Sequence, residues 1–288
     1  MKKKHNELLE SPTSPISVPI APFLKWAGGK RWLAPLIQER LGAITGRYIE
    51  PFLGSGAVFF RLGPKEALLN DVNAELIDTY KAIQQDHGNV IKHLARHHRL
   101  HSSEYYYQMR EYRPRCIFRR AARFIYLNRT CWNGLYRVNR KGAFNVPIGT
   151  KSSVLLSSDT WDQVAESLQS AQLLTGDFED VIDQARKGDL IFADPPYTIK
   201  HNHNGFVKYN ESLFSWPDQE RLGSALWRAE KRGAAIIATN ANHDSVRALY
   251  KGKFKLTTME RNSVLSGDPV FRGKFQELLI VSGNAWGY

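Results

Sequence analysis

Short apolar runs alternate with amphipathic segments along most of the chain. The runs Asp189–Ala193 and Ala234–Thr239 have the length and composition of buried strands. Residues Arg31–Leu41 and Asp218–Arg232 instead repeat their apolar positions with the period of a helix. Strands that alternate with helices in this way predict an α/β sheet with helices on both faces.

The alternation is interrupted once, in the middle of the chain. Residues 73–129 have a mostly helical pattern, and residues 130–151 are rich in Asn, Gly and Arg, which indicates an ordered loop or hairpin. Further strands are predicted on both sides of this interruption: Arg47–Glu50, Glu66–Asn70, a strand around Leu173-Leu174, Lys253–Glu260 and Phe275–Val281. The last two of these are predicted to pair antiparallel.

These patterns predict two domains and a tail. Residues 1–20 contain Lys, Ser, Thr and Pro without periodicity and are expected to be flexible. Segments 21–75 and 152–288 are predicted to form one domain around the sheet. Residues 76–151 are predicted to form an inserted, mostly helical domain that carries a polar loop at 128–151.

The sequence Asp194-Pro195-Pro196-Tyr197 follows directly after a predicted buried strand. The two prolines fix the backbone and donate no hydrogen bonds, so carbonyl groups remain available on a rigid turn. A carboxylate and a carbonyl can accept both protons of one amino group, and the tyrosine adds a flat face. This motif therefore predicts a site for a planar ring that bears an amino group, such as a nucleobase, although strands also end in plain proline turns.

Two other predicted strands also end in acids. Glu50 leads into a loop with Gly54 and Gly56, which lacks both the third glycine of a dinucleotide motif and the lysine of a P-loop. Asp71 follows the next strand, where a carboxylate can bind ribose hydroxyls or cap a helix. Because ligands bind at the carboxyl ends of strands in open α/β sheets, these loops predict a ligand site.

Two further segments could contact the same ligand. Asp177-Phe178 offers a polar group and an aromatic face for an adenine ring, although the aspartate could equally be a helix cap. In Lys25–Lys30, two glycines lie between an aromatic residue and a lysine, which predicts either a tight ligand-contacting turn or a simple helix start.

The charge balance adds a polyanionic partner to this prediction. The 288 residues carry a formal net charge of +12. Many basic residues fall in one stretch between aromatic side chains: Arg110, Arg113, Arg115, Arg119, Arg120, Arg123, Arg129, Arg137, Arg140 and Lys141. Such a stretch suits phosphate contact and base stacking, or a solvated helix face. No apolar run has the length of a membrane span, and Cys116 and Cys131 form no metal or disulfide pattern, so we expect a cytoplasmic protein.

Several blocks, in this order, resemble the Dam-type DNA adenine-N6 methyltransferases, the α group of amino methyltransferases. The resemblance covers about residues 23–281 and rests on Lys25–Lys30, Pro51–Gly56, Asp71, Leu127–Asn139, Phe144–Pro147 and Asp194–Tyr197. It implies a Rossmann-like α/β methyltransferase sheet, S-adenosylmethionine as methyl donor, no metal, and double-stranded DNA as partner. The inserted domain would recognise the target, and the sheet domain would be catalytic.

The resemblance also implies roles for individual residues. The catalytic residues would be Asp194, Pro195, Pro196 and Tyr197. The cofactor would be bound by Trp26, Lys30, Phe52, Gly54, Gly56, Asp71, Asp177, Phe178 and Asp194. DNA would be contacted by Lys25, Arg129, Trp132, Asn133, Leu135, Arg137, Asn139 and Pro147. Phe206, Lys208, Tyr209 and Phe214 are candidates to close over an extruded base, or simply to pack in a loop.

The implied target is 5′-GATC-3′, with Arg137 as a candidate for a bidentate contact to guanine. Thr130-Cys131-Trp132 departs from a more usual Tyr-Gly-Tyr run, and Lys151 lies near the position of an arginine, which leaves the flanking preference open. For Arg129, a phosphate contact and a structural role are both open.

Other functions also remain open at this point. They are N4-cytosine methylation of DNA, methylation of RNA or of a protein glutamine amide, and DNA binding by a relative that has lost catalysis. A monomer of prokaryotic or phage origin is expected, and a restriction endonuclease is a candidate partner.

Overall fold

The computed structural model describes residues 20–139, 142–199, 214–262 and 274–287. Seven strands form one sheet in the order β3-β2-β1-β4-β5-β7-β6, in which β7 runs opposite to the other six strands. The strands are β1 (Tyr48–Glu50), β2 (Ala67–Asp71), β3 (Ala171–Thr175), β4 (Leu190–Ala193), β5 (Ala235–Ala241), β6 (Lys255–Asn262) and β7 (Lys274–Val281). The predicted α/β sheet and its antiparallel end are confirmed.

Helices cover both faces of this sheet. Successive side chains of a strand point to opposite faces, so Tyr48 of β1 joins one hydrophobic cluster and Ile49 joins the other. The helices are α1 (Ala34–Arg40), α2 (Ala57–Leu62), α3 (Ala74–Leu100), α4 (Ser103–Glu111), α5 (Ile117–Thr130), α6 (Trp161–Gln169), α7 (Phe178–Ile182), α8 (Trp216–Lys231) and α9 (Asp244–Tyr250). Within the described ranges, no helix combines the length and apolarity needed to cross a bilayer.

The strand order reverses direction between β1 and β4. These two strands pair in parallel, with Tyr48 opposite Leu190 and Ile49 opposite Ile191. A ligand crevice forms at such a switch point, outside the carboxyl ends of the two strands. The loop after Glu50 and the motif that begins at Asp194 therefore lie side by side at this crevice.

Helix α3 connects the sheet to the helical region. Its first half packs toward the sheet, where the Gln84 amide donates to the Ala171 carbonyl over 2.9 Å. The helix is interrupted at Asp86, which has non-helical φ/ψ angles of −163° and 84° and caps the second half by accepting from the Asn89 N–H over 2.9 Å. The second half then leads into α4 and α5. This confirms the mostly helical pattern predicted for residues 73–129.

Residues 130–139 and 142–149 run antiparallel to each other as the two arms of a hairpin, which we call the recognition hairpin. The Trp132 N–H donates to the Pro147 carbonyl over 2.9 Å, and the Asn139 N–H donates to the Ala143 carbonyl over 2.8 Å. The Tyr106 hydroxyl of α4 donates to the Val146 carbonyl over 2.9 Å and holds the returning strand. The hairpin predicted for this Asn- and Arg-rich segment is present.

Candidate active site and DNA interface

The carboxylate of Asp194 is anchored on one of its two oxygens. Oδ1 accepts a hydrogen bond from the Thr239 hydroxyl over 2.6 Å and lies 2.9 Å from the Lys30 ammonium. The hydroxyl of Thr239 and the ammonium of Lys30 thus both contact Oδ1 of Asp194. The carboxylate is therefore held in a fixed orientation while Oδ2 keeps its capacity to accept further hydrogen bonds.

Lys30 is a buried cation shared by several acceptors. Its side chain is only 3% exposed, and Nζ donates to the Gly28 carbonyl over 2.6 Å and lies 3.5 Å from Oε2 of Glu277. The preceding turn is closed by a hydrogen bond of 3.1 Å from the Gly29 N–H to the Trp26 carbonyl, and Gly28 has a φ of +77°. The tight turn predicted from the two glycines is present, and it places the Lys30 ammonium next to the Asp194 carboxylate.

Tyr197 is held by the same group of charges. Its hydroxyl donates to Oε2 of Glu277 over 3.0 Å, and Lys30 Nζ lies 5.1 Å from the ring centroid. Burial, with added repulsion from the carboxylates of Asp194 and Glu277, raises the pKa of Tyr197 well above its usual value. The phenol consequently stays protonated near neutral pH and acts as a hydrogen-bond donor.

Helix α8 supports the Asp-Pro-Pro-Tyr motif from below. Gln219 is fully buried, and its amide donates to the Pro196 carbonyl over 3.3 Å. Asn240 of β5 in turn donates to the Gln219 side-chain oxygen over 2.8 Å. Two neighbouring elements thus fix the backbone of the motif.

Glu50 is a second buried acid at the switch point. Its Oε2 accepts from the Tyr48 hydroxyl over 2.8 Å. Burial raises the pKa of Glu50 well above its usual value, and the charges of Asp194 and Asp71 add to this effect. The environment therefore disfavours the charged form of Glu50 compared with a carboxyl group in water.

Three predicted cofactor residues meet at the glycine loop. Gly54 has a φ of +48°, and a Cβ atom at this position would lie 2.7 Å from Cδ1 of Trp26, so only glycine fits against the indole. The Gly54 N–H donates to Oδ2 of Asp71 over 3.1 Å. The structure thus brings Trp26, Gly54 and Asp71 together.

Asp71 ends β2 with its carboxylate held by backbone donors. In addition to Gly54, the Asn73 N–H donates to Oδ1 over 2.9 Å. Burial raises the pKa of Asp71, and the two N–H donors oppose this shift. Gly56 ends the neighbouring loop with a φ of +62° and precedes the first turn of α2.

The segment Asp177-Phe178 follows β3, which lies on the other side of β1 from β4 and Asp194. The rings of Phe52 and Phe178 stack with their centroids 5.4 Å apart, and the Arg221 guanidinium lies 4.9 Å from the Phe178 centroid. Asp177 caps α7 by accepting from the Glu179 N–H over 2.9 Å and pairs with Arg221 over 2.7 Å. The cap that the sequence left open is therefore present.

Of the two roles left open for Phe214, closing over a base or packing, the structure shows packing. Its side chain is 4% exposed and packs against Phe52 and Phe178 in the core, and its carbonyl accepts from the Thr198 hydroxyl over 2.6 Å. The other candidates for this role lie outside the described residues: Phe206, Lys208 and Tyr209.

The recognition hairpin presents most of its predicted DNA contacts to solvent. Trp132 is 52% exposed, and Asn133 has a φ of +54°, a left-handed conformation that is uncommon outside glycine. Arg137 is exposed, and its Nε donates to Oδ1 of Asn145 over 3.0 Å. Asn139 and Pro147 are also exposed, whereas Leu135 is half-buried against the core.

The base of the hairpin contacts Trp26, one of the residues predicted to bind the cofactor. The rings of Trp26 and Tyr136 stack with centroids 5.6 Å apart. The Tyr136 hydroxyl donates to Oε2 of Glu75, in the first turn of α3, over 2.8 Å. Trp26, which also lies against Gly54, therefore joins the hairpin to the glycine loop.

Lys25 links the N-terminal turn to the hairpin. Its backbone N–H donates to Oδ1 of Asn128 over 2.9 Å, and the Asn128 amide donates back to the Lys25 carbonyl over 2.8 Å. The lysine side chain lies against Gly134, where a Cβ atom would be 2.6 Å from its Cδ. Burial and the nearby Lys151 lower the pKa of Lys25 to about 8.

Arg129 was predicted among the DNA contacts, with a structural role also open, and its burial supports the structural role. Its side chain is 3% exposed and forms two hydrogen bonds of 2.7 Å with the carboxylate of Asp159, which is 8% exposed. It also donates to the carbonyls of Phe23, over 2.9 Å, and Val154, over 2.7 Å. Arg129 is thus a structural residue that ties the end of α5 to both flanks of the insertion.

The basic stretch is only partly exposed, because another of its arginines is also buried and binds backbone carbonyls. Arg123 is 4% exposed and donates to the carbonyls of Met109 and Arg110, over 2.7 and 2.8 Å. Arg115 and Arg119 are exposed, as a phosphate contact requires. Arg140 and Lys141 lie outside the described residues.

Sequence patterns missed three residues that hold the motif in place. Thr239 of β5, Glu277 of β7 and Gln219 of α8 all contact Asp194, Tyr197 or Pro196 from distant parts of the chain. The one available signal was Glu277 itself, a carboxylate directly before the apolar run of a predicted strand.

Comparisons with known proteins agree with this geometry. The family described as D12 class N6 adenine-specific DNA methyltransferase matches residues 26–265. A type II methyltransferase of Lactococcus lactis subsp. cremoris is 34% identical over 272 residues, which cover 91% of this chain and 95% of that protein. A type II methyltransferase of Methanocaldococcus jannaschii is 35% identical over 288 residues, with 91% and 99% covered. A DNA adenine methylase of Haemophilus influenzae is 33% identical over 270 residues, with 91% and 93% covered.

Proposed function

Since the chain belongs to the D12 class N6 adenine-specific DNA methyltransferases, and therefore methylates adenine N6 in DNA, we propose that its target is 5′-GATC-3′ in duplex DNA. We also propose that it flips the target adenine out of the helix and takes the methyl group from S-adenosylmethionine. The observation that carries this proposal is the anchoring of Asp194 by Thr239 and Lys30 at the β1/β4 switch point, beside the glycine loop that follows β1.

We propose the domain division on the same basis. Segments 21–75 and 152–288 form the catalytic domain around the sheet, and residues 76–151 form the target-recognition domain. The hydrogen bond from Gln84 to Ala171 makes the first half of α3 a shared element of the two.

The residues around the glycine loop suit an adenosylmethionine. A carboxylate at the end of β2 can accept ribose hydroxyls, glycines allow close backbone approach, and aromatic rings provide apolar walls. The binding residues would be Trp26, Lys30, Phe52, Gly54, Gly56, Asp71, Asp177, Phe178 and Asp194. When bound, S-adenosylmethionine supplies a methyl group activated by its positively charged sulfur.

The chain's own contribution is to orient and activate the adenine amino group. The lone pair of this nitrogen is shared with the ring, so it is a weak nucleophile. Oδ2 of Asp194 and the Pro195 carbonyl would accept the two amino protons and hold the nitrogen closer to tetrahedral geometry. The same acceptors stabilise the positive charge that develops on the nitrogen during transfer.

Base flipping brings the adenine to these acceptors. Extruding a base costs about a few kcal/mol of stacking and pairing energy. Stacking on the ring of Tyr197 would offset part of this cost, and the exposed Trp132 is placed on the hairpin as a candidate to fill the gap in the DNA.

Target choice would come from the recognition hairpin. The exposed side chains of Trp132, Asn133, Arg137, Asn139 and Pro147 share this one hairpin, with Leu135 and Lys25 at its base. The guanidinium of Arg137 matches the two acceptors on the major-groove edge of guanine. Its hydrogen bond to Asn145 supports the side chain from below and limits its freedom.

Arg137→Ala is expected to relax sequence choice more than it weakens DNA binding. Loss of one bidentate base contact removes about 1–3 kcal/mol of discrimination. The measurement compares methylation rates on a GATC duplex and on duplexes with each single-base substitution, for the wild type and the variant. The ratio between GATC and a guanine-substituted site should fall.

A phosphate contact would behave differently, because it weakens binding to all sequences alike. Uniformly lower rates with unchanged ratios would therefore remove the main physical support for the GATC assignment. Arg186→Ala serves as the control, since Arg186 is exposed at the opposite edge of the sheet, before β4, and should leave both rates and ratios unchanged.

A further inference from the structure

Glu277 is a buried acid that the proposed mechanism does not yet use. It lies on β7, opposite Met259 of β6 and Ala241 of β5, and its side chain is 7% exposed. A carboxylate is expensive to bury unless it is paired and hydrogen-bonded. Glu277 accepts from the Tyr197 hydroxyl over 3.0 Å and lies 3.5 Å from the Lys30 ammonium. Both partners belong to the group that surrounds Asp194.

We propose that Glu277 is a positioning residue for methyl transfer, which fixes the ring of Tyr197 through its hydroxyl and draws the Lys30 ammonium partly away from Asp194. This inference rests on the proposed function of Asp194 and Tyr197, and it assigns to Glu277 a role in rate rather than in binding.

The first part of the role is electrostatic. The Lys30 ammonium lies 2.9 Å from Oδ1 of Asp194, and a cation so close weakens the carboxylate as an acceptor for an amino group. The carboxylate of Glu277, near the same ammonium, gives the group formed by Lys30, Asp194 and Glu277 a net negative charge. Because positive charge develops on the adenine nitrogen during transfer, this net charge favours the transition state.

The second part of the role is geometric. The ring of Tyr197 can rotate about its side-chain bonds unless its hydroxyl is held, and Glu277 supplies an acceptor from β7, two strands away from β4 in the sheet. The raised pKa of Tyr197 keeps the donor proton in place. A ring held in one plane before the base arrives loses less conformational freedom when the base stacks on it.

Two variants separate these effects. Glu277→Gln keeps an oxygen that can accept from Tyr197 but removes the charge that faces Lys30, and Tyr197→Phe removes the hydroxyl but keeps the ring. We expect Glu277→Gln to lower the single-turnover rate at saturating DNA and S-adenosylmethionine by about tenfold or more, which corresponds to about 1.4 kcal/mol of barrier. Tyr197→Phe should lower the same rate several-fold. The dissociation constants for DNA and S-adenosylmethionine should stay within about twofold of the wild type in both variants.

The double variant adds a test that a merely structural role would not pass. If Glu277 acts in part through the Tyr197 hydroxyl, Glu277→Ala should cost less in the Tyr197→Phe background than in the wild type. Glu166→Gln is the matched control, because Glu166 is exposed on α6, and its rate should not change.

Several outcomes would overturn the inference. They are a Glu277→Gln rate within twofold of the wild type, a loss confined to ligand binding, or strict additivity of the double variant. If Glu277→Gln does not fold, a wild-type rate for Tyr197→Phe would overturn the geometric part. A wild-type rate for a folded Glu277→Ala would overturn both parts, since alanine removes the charge that faces Lys30 and also the acceptor for Tyr197. Absence of adenine methylation by the wild type itself would instead refute the proposed function.

Discussion

Asp194→Ala is expected to lower the rate of methyl transfer by at least about a hundredfold, with DNA affinity within about threefold of the wild type. Removing one preorganised group that stabilises transition-state charge typically costs 10² to 10³ in rate, or about 2.7–4 kcal/mol. Asp194 contacts Thr239 and Lys30 rather than any surface that faces phosphate, so DNA binding does not depend on it. Single-turnover transfer of a tritiated methyl group and a DNA titration measure the two quantities.

Two controls make this result specific to the carboxylate. Asp194→Asn keeps the volume and an acceptor for Thr239, but it places a donor amide where the adenine amino group needs an acceptor, so it should be nearly as slow. Asp162→Ala removes a carboxylate that is 97% exposed on α6 and should leave the rate unchanged. A rate for Asp194→Ala within tenfold of the wild type would exclude Asp194 as the principal acceptor, because tenfold corresponds to only about 1.4 kcal/mol.

Arg129→Ala is expected to destabilise the fold by about 3–5 kcal/mol, because it leaves the buried carboxylate of Asp159 without its partner. The variant also removes the donors to the carbonyls of Phe23 and Val154, which join the two flanks of the insertion. Thermal unfolding followed by circular dichroism should show a midpoint lowered by roughly 10 °C.

Arg119→Ala provides the comparison on the same helix. Arg119 is exposed on α5, so its removal should change stability by no more than about 0.5 kcal/mol. If Arg129→Ala unfolded like the wild type and instead lost DNA affinity, Arg129 would be a phosphate contact, and the structural role assigned to it would be wrong.

Features that depend on neighbouring residues were predicted well from the sequence. The apolar run before Asp194 predicts a strand because its length and composition suit burial, and two prolines after it end that strand whatever surrounds them. The glycines at 54 and 56 likewise mark a loop with positive φ angles, which the structure contains. The order of these segments was enough to predict an α/β sheet with ligand contacts at its carboxyl edge.

Features that depend on tertiary pairing could not be predicted in this way. Glu277 reaches Tyr197 only because β7 inserts antiparallel beside β5, a register that no local pattern specifies. The same limit explains Arg129, which appears in sequence as one arginine of a basic stretch, whereas Asp159 lies 30 positions away. The two alternatives for Phe214 could not be separated for a similar reason, since its burial depends on Phe52 and Phe178.

The most direct test of the whole account is modification mapping of DNA from methylation-deficient cells that express this chain. The account predicts N6-methyladenine at 5′-GATC-3′ on both strands, and its loss in cells that express Asp194→Ala. Methylation of adenine at another sequence would contradict the target assignment alone. N4-methylcytosine, or unmodified DNA despite folded protein, would contradict the central claim that the site at Asp194 methylates adenine.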